Sequence, residues 1–497
     1  MAQLFRNSLL SIATTMIGLV SGFLVTALVA RTLGPSGAGA VALGIWAAMS
    51  AVTITGLGRP QVVLKFAPDF VSDHRRSLAS AAFFEAIPIA CIAAVGAVGV
   101  HFLTINADWF PQASVVFAGS AFFIVYFLYV FSTAAAQGAG RFPQTTVTSA
   151  IGAIVQLPAA IAGAVFFGPA GAILGMALRY VPQSCLLPGY FEWPWKRKKI
   201  QLSPAMRSYG RQIWLTDMID LLALSRLELV VLGVFWSAET TGYFAVAIAL
   251  FGIIGQITLQ LSSVFIVGFS SQQSDEGQAE VSESYTAAVK ALAGLLVPIA
   301  FGGAALMPVF VPLVFGSDFE PAVPAAMILM ITSSWAAIAV IPWSYLAAKS
   351  HSQLLLRTMC LVAVGSIGLL FALVPTFGLF GAAIGRALAE LLFLVALVYC
   401  VRQAAGPAFP YRSVLKIAAA GISCGLAAFA SLQLVPGAAV LPVAVVAGAL
   451  VYILCIRFLK PASETDRLRL VNLLETRGPR RLRPFLKKVS NLILGPV

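Results

Sequence analysis

Apolar stretches of 18 residues or more recur along the whole of this 497-residue chain, and the short segments between them carry most of the charge. A stretch of this length crosses the hydrocarbon core of a bilayer as one α-helix, since a helix pairs its own backbone polar groups. The short alternating segments that build outer-membrane barrels do not occur in the sequence. The pattern therefore predicts an all-α polytopic membrane protein.

The apolar stretches predict about fourteen transmembrane helices. Their approximate boundaries are 8–31, 38–58, 77–103, 113–136, 146–166, 171–189, 212–236, 243–268, 288–314, 323–347, 354–374, 379–400, 413–434 and 441–459. With a cytoplasmic N-terminus, the outer connections contain no Lys or Arg, and the inner segments hold 28 of the 32 basic residues. This asymmetry follows the positive-inside rule, and a different number of spans would place basic loops outside. We therefore predict a multi-pass membrane protein with both termini in the cytoplasm.

The composition argues against several other classes of function. A net charge of +13 would suggest a nucleic-acid partner in a soluble chain, but here 60% of the residues are hydrophobic and the basic residues lie between the spans. The six cysteines lie in apolar spans and the three histidines are scattered, which predicts no disulfide framework and no metal site. No phosphate-binding GxxxxGKS or GxxxxGKT motif occurs, so we expect no built-in ATPase and no cofactor.

An internal repeat divides the chain. FGPAGAILGMAL (167–178) and FGLFGAAIGRAL (377–388) match at seven of twelve positions, and LVARTLGPSGAGAVAL (28–43) aligns with LGVFWSAETTGYFAVA (232–247) at a similar offset. Two related halves are a common architecture of secondary transporters. We predict two pseudo-symmetric six-helix lobes followed by two extra helices. The predicted parts are an N-terminal lobe at 1–190, a basic cytoplasmic hinge loop at 191–211, a C-terminal lobe at 212–402, two extra spans at 403–460 and a basic cytoplasmic tail at 461–497.

Nine charged residues remain in the predicted spans after the basic residues counted with the inner segments are set aside. A charged side chain near the bilayer centre costs about 2.5–3.5 kcal/mol, so such residues should face the bundle interior or a water-filled cavity. Each is a candidate for a functional role, and the alternative interpretation is that it forms a structural ion pair. The arginines are Arg31, Arg179, Arg226 and Arg386, and the acids are Glu85, Asp217, Asp220, Glu228 and Glu390.

The seventh span, 212–236, is the most highly charged. In a regular helix Asp217, Asp220 and Glu228 fall on one face and Arg226 falls on the opposite face. All four can line one cavity only if the helix is unwound or bent.

The twelfth span carries a second arrangement, because Arg386 and Glu390 are spaced i, i+4 and can pair on one helix face.

The segment LVARTLGPSGAGAVALGIWAAMSAVTITGLGRPQVVLKFAPDF (28–70) resembles the polysaccharide biosynthesis family of oligosaccharide flippases. The pattern is an Ala-Arg-x-Leu-Gly-Pro turn after the first span, a second span, and then a short amphipathic stretch. SRLELVVLGVFWSAETTGYFAVA (225–247) resembles the family's corresponding turn after the seventh span. The family belongs to the multidrug/oligosaccharidyl-lipid/polysaccharide exporter superfamily, and the resemblance covers essentially the whole chain.

The resemblance implies a substrate and a place for it. Members carry undecaprenyl-diphosphate-linked oligosaccharides to the outer leaflet, through a central cavity lined largely by the first, second, seventh and eighth spans. Guanidinium groups match phosphate oxygens, so Arg226 and Arg31 rank first as substrate ligands, and Arg386 and Arg179 rank second. The five intramembrane acids are then candidates for coupling transport to protons or sodium.

Several alternatives stay open at this stage. A multidrug or metabolite antiporter of the same superfamily and a lipid II flippase are the other transporter readings. A membrane glycosyltransferase or a polymerase is disfavoured, because the outer loops are short and free of basic residues, and we do not expect an enzyme. The implied partners are the lipid-linked oligosaccharide, membrane lipids, and a polysaccharide polymerase with its chain-length machinery.

Overall fold

The computed structural model describes residues 2–103, 113–192, 202–221, 226–271, 278–349, 351–433 and 440–461. Every regular element in these residues is helical, as predicted from the sequence. The α-helices are α1 (Ala2–Gly56), α2 (Arg59–Phe66), α3 (Ser72–Leu103), α4 (Ala113–Gly138), α5 (Phe142–Ala177), α6 (Val181–Ser184), α7 (Pro204–Ile219), α8 (Leu227–Phe235), α9 (Ala238–Ser271), α10 (Gln278–Phe315), α11 (Val323–Ala348), α12 (Ser352–Gln403), α13 (Tyr411–Ser431) and α14 (Val440–Leu459). Short 3₁₀ turns occupy Ala67–Asp69, Leu187–Gly189 and Ser317–Ala322.

Three of these helices are broken at a glycine. Gly34 in α1, Gly168 in α5 and Gly378 in α12 have φ angles of 68°, 61° and 54°, which favour glycine because it lacks a Cβ atom. The three helices contain 55, 36 and 52 residues, whereas one membrane crossing needs about 20. Helices α1 and α12 are therefore long enough for two crossings joined at the glycine, whereas α5 ends nine residues after Gly168.

The broken helices bear on the predicted number of spans. Within the described residues, ten helices are long and apolar enough to cross a membrane, and this number takes each broken helix as one. Fourteen crossings stays a prediction. The repeat is visible in the backbone, because the matched Gly168 and Gly378 are both break positions.

The chain divides into two compact units, Met1–Ala249 with Leu370–Ala382, and Leu250–Leu369 with Ala383–Val497. In the first unit, the phenylalanines of α3 and α4 form the centre of the core. The ring of Phe83 lies 5.2 Å from that of Phe131 and 5.1 Å from that of Phe191. A buried polar group joins α4 to α5, since the side chain of Gln183 donates to the hydroxyl of Ser132 at 3.0 Å and accepts from that of Thr148 at 2.7 Å.

The second unit packs α10 against α11, α13 and α14. Gly421 and Gly425 of α13 face Val297 and Phe301 of α10, and an added Cβ at Gly421 would lie 2.5 Å from the Val297 side chain. The hydroxyl of Tyr452 on α14 donates to the carbonyl of Gly294 at 2.7 Å. The small residues let these apolar helices approach closely.

Some sequence predictions concern loops and termini. The short amphipathic stretch after the second predicted span is helical as α2. The connection 104–112, residues 193–201 of the predicted hinge loop and the tail beyond 461 lie outside the described residues. The division into lobes, hinge loop and tail stays a prediction.

Candidate functional site

The seventh predicted span is two helices rather than one. Helix α7 ends at Ile219, a π-helical turn follows at 220–221, and α8 begins at Leu227. Arg226 is the N-cap residue of α8 and has a left-handed conformation, with φ 61° and ψ 24°. The segment predicted as one span over 212–236 is therefore not a regular helix, and the alternative of an unwound or bent helix applies.

Helix α7 begins before the predicted start of the seventh span, and the sequence contains a recognisable helix start at this point. The hydroxyl of Ser203 accepts a hydrogen bond from the backbone N–H of Met206 at 3.2 Å, and Pro204 occupies the first helical position. Serine at the N-cap followed by proline at the first position is a typical helix start. The predicted start at 212 was based on the beginning of the apolar stretch and did not take this N-cap into account.

Four charged residues lie close together in sequence on the two sides of the break. Glu228 lies in the first turn of α8 and is only 4% exposed, while Arg226 is exposed. Asp217, half-buried, and Asp220, exposed, lie at the end of α7. A left-handed arginine costs about 1–2 kcal/mol, and the carboxylate of Glu228 is favoured by the positive end of the α8 dipole. The four candidates thus lie around one interruption of the backbone.

An apolar cavity of ≈ 340 Å³ adjoins α8. It lies within the first unit, among the second half of α1, α3, α4 and α8, and small side chains such as Ala47, Gly119 and Gly233 open it. Val230 and Val234 line it as well, and they lie about 6 and 12 Å along the helix axis from Arg226. Charge and an apolar cavity are therefore adjacent on the same helix.

Near the C-terminal end of α1, the side chain of Glu85 on α3 lies between two arginines. Its carboxylate is 2.9 Å from Nη2 of Arg59, at the start of α2, and 3.0 Å from Nη2 of Arg207 on α7. Arg59 is 13% exposed and Arg207 is 52% exposed, so the pair with Arg59 is the better shielded. Glu85 therefore ties α7 to α2 and α3. The sequence marked Glu85 but gave no sign of its two partners.

The backbones are also close at this point. Gly58 has φ 67°, and a Cβ atom added there would lie 2.1 Å from the carbonyl oxygen of Gly210. The indole of Trp214 on α7 donates to the carbonyl oxygen of Ile54 at 3.0 Å. We call the group of Gly58, Arg59, Glu85, Arg207 and Gly210 the inner contact, because its loops are predicted to be cytoplasmic.

A second close contact involves the turns after the first and seventh spans. A Cβ added at Gly39 would lie 1.8 Å from the carbonyl oxygen of Ala238, and one added at Gly242 would lie 1.9 Å from that of Pro35. An offset of 203 residues relates Pro35 to Ala238 and Gly39 to Gly242. The glycine of each turn therefore contacts the residue of the other turn that lies four positions before the matching glycine. We call these four residues the outer contact, because both turns are predicted to lie outside.

Arg179 has a structural environment in the first unit. It lies in the turn between α5 and α6, and its Nη1 donates to the hydroxyl of Ser21 at 2.8 Å, the carbonyl of Gly18 at 3.3 Å and the side-chain oxygen of Gln156 at 3.3 Å. These bonds join α1 to α5.

The remaining candidates have other environments. Arg386 and Glu390 form the i, i+4 ion pair expected from their spacing, at 3.1 Å, and the Arg386 guanidinium lies 5.4 Å from the ring centre of Phe251. All three residues belong to the second unit. Arg31 is exposed, three residues before the break at Gly34. None of these positions by itself shows a role in binding.

Solved structures similar to this chain are membrane transporters and flippases. A structure of the lipid II flippase MurJ in an inward closed conformation superposes with a TM-score of 0.74 at 14% identity, covering 90% of this chain and 98% of that one. An inward-facing multidrug resistance transporter of the MATE family, in the MOP superfamily, gives 0.60 at 14% identity, with coverages of 80% and 98%. The MATE multidrug transporter DinF-BH gives 0.56 at 13% identity, with coverages of 81% and 95%. These likenesses concern the fold.

The helices and the similar structures define a multi-pass helical membrane protein with the fold shared by MurJ and the MATE transporters. The sequence pattern of the family described as "Polysaccharide biosynthesis protein" matches residues 28–324, more than half of the chain. The chain belongs to that family. No curated protein matches it.

Proposed function

We propose that this protein is a flippase that moves polyprenyl-diphosphate-linked oligosaccharide from the inner to the outer leaflet of the bacterial inner membrane, for assembly of a cell-surface polysaccharide. The observation that carries the proposal is the broken seventh span, where Arg226 and Glu228 precede, on the same helix, the residues of α8 that line an apolar cavity. Membership of the polysaccharide biosynthesis family supports the substrate class.

The charged end of the substrate fits the break. A guanidinium group offers forked donors to the oxygens of a diphosphate, and Arg226 is exposed at the start of α8. The N-terminus of α8 adds the positive end of a helix dipole, which favours an anion. Discontinuous membrane helices bind charged substrates in this manner in other transporters. Arg31 is proposed as a second ligand.

The lipid end of the substrate fits the neighbouring cavity. Val230, Gly233 and Val234 follow the break on α8 and line the apolar cavity. A polyprenyl chain attached to a diphosphate at Arg226 would reach this cavity within about two helical turns. We propose that its first isoprenoid units occupy the cavity.

We propose alternating access on the basis of the two contacts. The inner and outer contacts both hold backbones too close for a Cβ atom, so each would separate before a glycan passes at that end. We propose that they open in turn, with the hinge in the part of the predicted loop 191–211 that precedes α7 and with both termini in the cytoplasm. Of the intramembrane acids, Glu85 and Glu228 are the first candidates for coupling, because each lies where a helix would have to move. Asp217, Asp220 and Glu390 rank after them.

The lipid profile of a deletion strain tests the substrate class. Loss of the gene should leave a completed oligosaccharide on its polyprenyl diphosphate and remove the surface polymer, as measured by mass spectrometry of extracted lipids. Truncated lipid-linked glycans would indicate a transferase. An unchanged profile, in a strain without a second flippase, would favour a multidrug antiporter. Accumulation of lipid II would instead assign the substrate that the name of MurJ states.

A further inference from the structure

We propose a phosphate-binding pocket on the predicted cytoplasmic face of the first unit, separate from the broken seventh span. The pocket has a volume of ≈ 160 Å³ and is lined by Arg75, Arg76, Arg141 and Tyr190, with alanines and glycine between them. The predicted ligand is a phosphate group, carried by an anionic lipid headgroup or by a free anion.

Three separate inner loops bring the arginines together. Arg75 and Arg76 lie in the first turn of α3, and Arg141 is the residue before α5. Tyr190 follows the 3₁₀ turn at Leu187–Gly189. Residues this far apart in sequence converge only through the tertiary fold, and all of them belong to segments predicted to be cytoplasmic. Basic pockets between membrane helices on this side are typical sites for phosphorylated headgroups.

The arginines are held in place by neighbouring groups. Nε of Arg75 donates to the carbonyl of Phe70, which leaves the two terminal nitrogens of that guanidinium to meet a ligand. The Arg141 guanidinium lies 5.3 Å from the ring centre of Tyr190, whose hydroxyl donates to Gln144 at 2.6 Å. Such anchoring lowers the entropy lost when a phosphate is bound.

Two helix N-termini add to the positive potential. Helices α3 and α5, of 32 and 36 residues, both begin at the pocket, and each presents the positive end of its dipole. Among the described side chains, the acids next in sequence to the pocket segments are Asp69, which is exposed, and Glu192. The Glu192 carboxylate accepts a hydrogen bond from the Ser77 hydroxyl at 2.8 Å, so it already has a partner on α3.

The size of the pocket selects among anions. Sites for drug-sized ligands occupy about 300–1,000 Å³, so this pocket is too small for a nucleotide sugar. A single phosphate group fits it, and the remainder of the molecule would extend outward. At a membrane surface, a phospholipid supplies that group together with an apolar anchor.

The test is a binding titration on the purified full-length protein in neutral detergent. The probes are short-chain phosphatidylglycerol, short-chain phosphatidylcholine and inorganic phosphate, and the readout is the thermal shift with concentration. The R76Q/R141Q variant should bind phosphatidylglycerol about tenfold more weakly than wild type, which corresponds to one charged hydrogen bond. The control variant R402Q/R412Q removes the same charge from the predicted inner surface elsewhere and should bind as wild type does.

The outcomes separate the sources of the phosphate. A loss for phosphatidylglycerol alone supports a lipid headgroup site, and an equal loss for inorganic phosphate supports a site for the free anion. Equal binding by R76Q/R141Q and R402Q/R412Q would overturn the proposal. If the double variant does not fold, R76Q alone provides the same comparison, because Arg76 is exposed at the surface.

Discussion

At the scale of single residues, the intramembrane charges divide into groups with different environments. Arg179 is bonded to Gly18, Ser21 and Gln156, and Arg386 is paired with Glu390. Arg226 instead occupies a strained backbone position at a helix break. Strained positions persist where the surrounding structure or a function requires them. We therefore rank Arg226 above Arg179 as a substrate ligand, although both were candidates from the sequence.

Replacing Arg179 with Ala should reduce stability rather than binding. The change removes three hydrogen bonds and leaves the buried side-chain oxygen of Gln156 on α5 and partly buried acceptors on α1 without this donor, at a cost of about 1–3 kcal/mol. The thermal unfolding midpoint in detergent should fall, and folded variant protein should transport with the same KM. A raised KM without a change in unfolding would place Arg179 at the substrate.

Replacing Glu85 with Gln should loosen the inner contact. The amide cannot balance the shielded charge of Arg59, so we expect a loss of about 1–3 kcal/mol at this point. Hydrogen exchange of the backbone amides in α7 should become faster. Glu239→Gln is the control, since Glu239 bonds only locally, to the hydroxyl of Tyr243 at 2.6 Å. Unchanged exchange in α7 would contradict the role given to Glu85.

At the scale of helices, much of the fold could be predicted from the sequence. Apolar length indicated the membrane helices, and the matched Gly168 and Gly378 marked two of the breaks. The break before α8 could not be located, because no glycine or proline lies between Ile219 and Leu227 and a left-handed arginine has no sequence signature. The inner and outer contacts could not be predicted either, because a glycine that packs against a carbonyl far away in sequence produces no local sequence pattern.

Replacing Gly39 with Val should force the outer contact apart. The new Cβ would meet the carbonyl oxygen of Ala238, a backbone atom that cannot rotate away. A cysteine placed at Ser36, in a background without the native cysteines, should then react faster with an impermeant thiol reagent from outside. Gly22→Val on the same helix is the matched control, because a Cβ there meets nothing within 4 Å. Equal labelling in the two variants would contradict the outer contact.

At the scale of the molecule, the two contacts and the broken span form one proposed mechanism. A lipid-linked glycan needs a charged site for its diphosphate, an apolar site for its lipid and a passage that opens at alternate ends. The first unit provides a candidate for each: Arg226 at the start of α8, the apolar cavity beside it, and the inner and outer contacts. The family and the fold are consistent with this mechanism.

The most direct test of the central claim is flipping of a lipid-linked oligosaccharide in proteoliposomes that contain the purified protein. The readout is the fraction of substrate that becomes accessible to a glycosidase on the opposite side of the bilayer. Arg226→Ala should slow flipping about tenfold or more, because it removes a charged hydrogen bond to the diphosphate, and Arg226→Lys should retain part of the rate. Arg412→Ala is the control at the predicted inner surface. Wild-type flipping by folded Arg226→Ala protein would contradict the account, since the broken seventh span would then not bind the substrate.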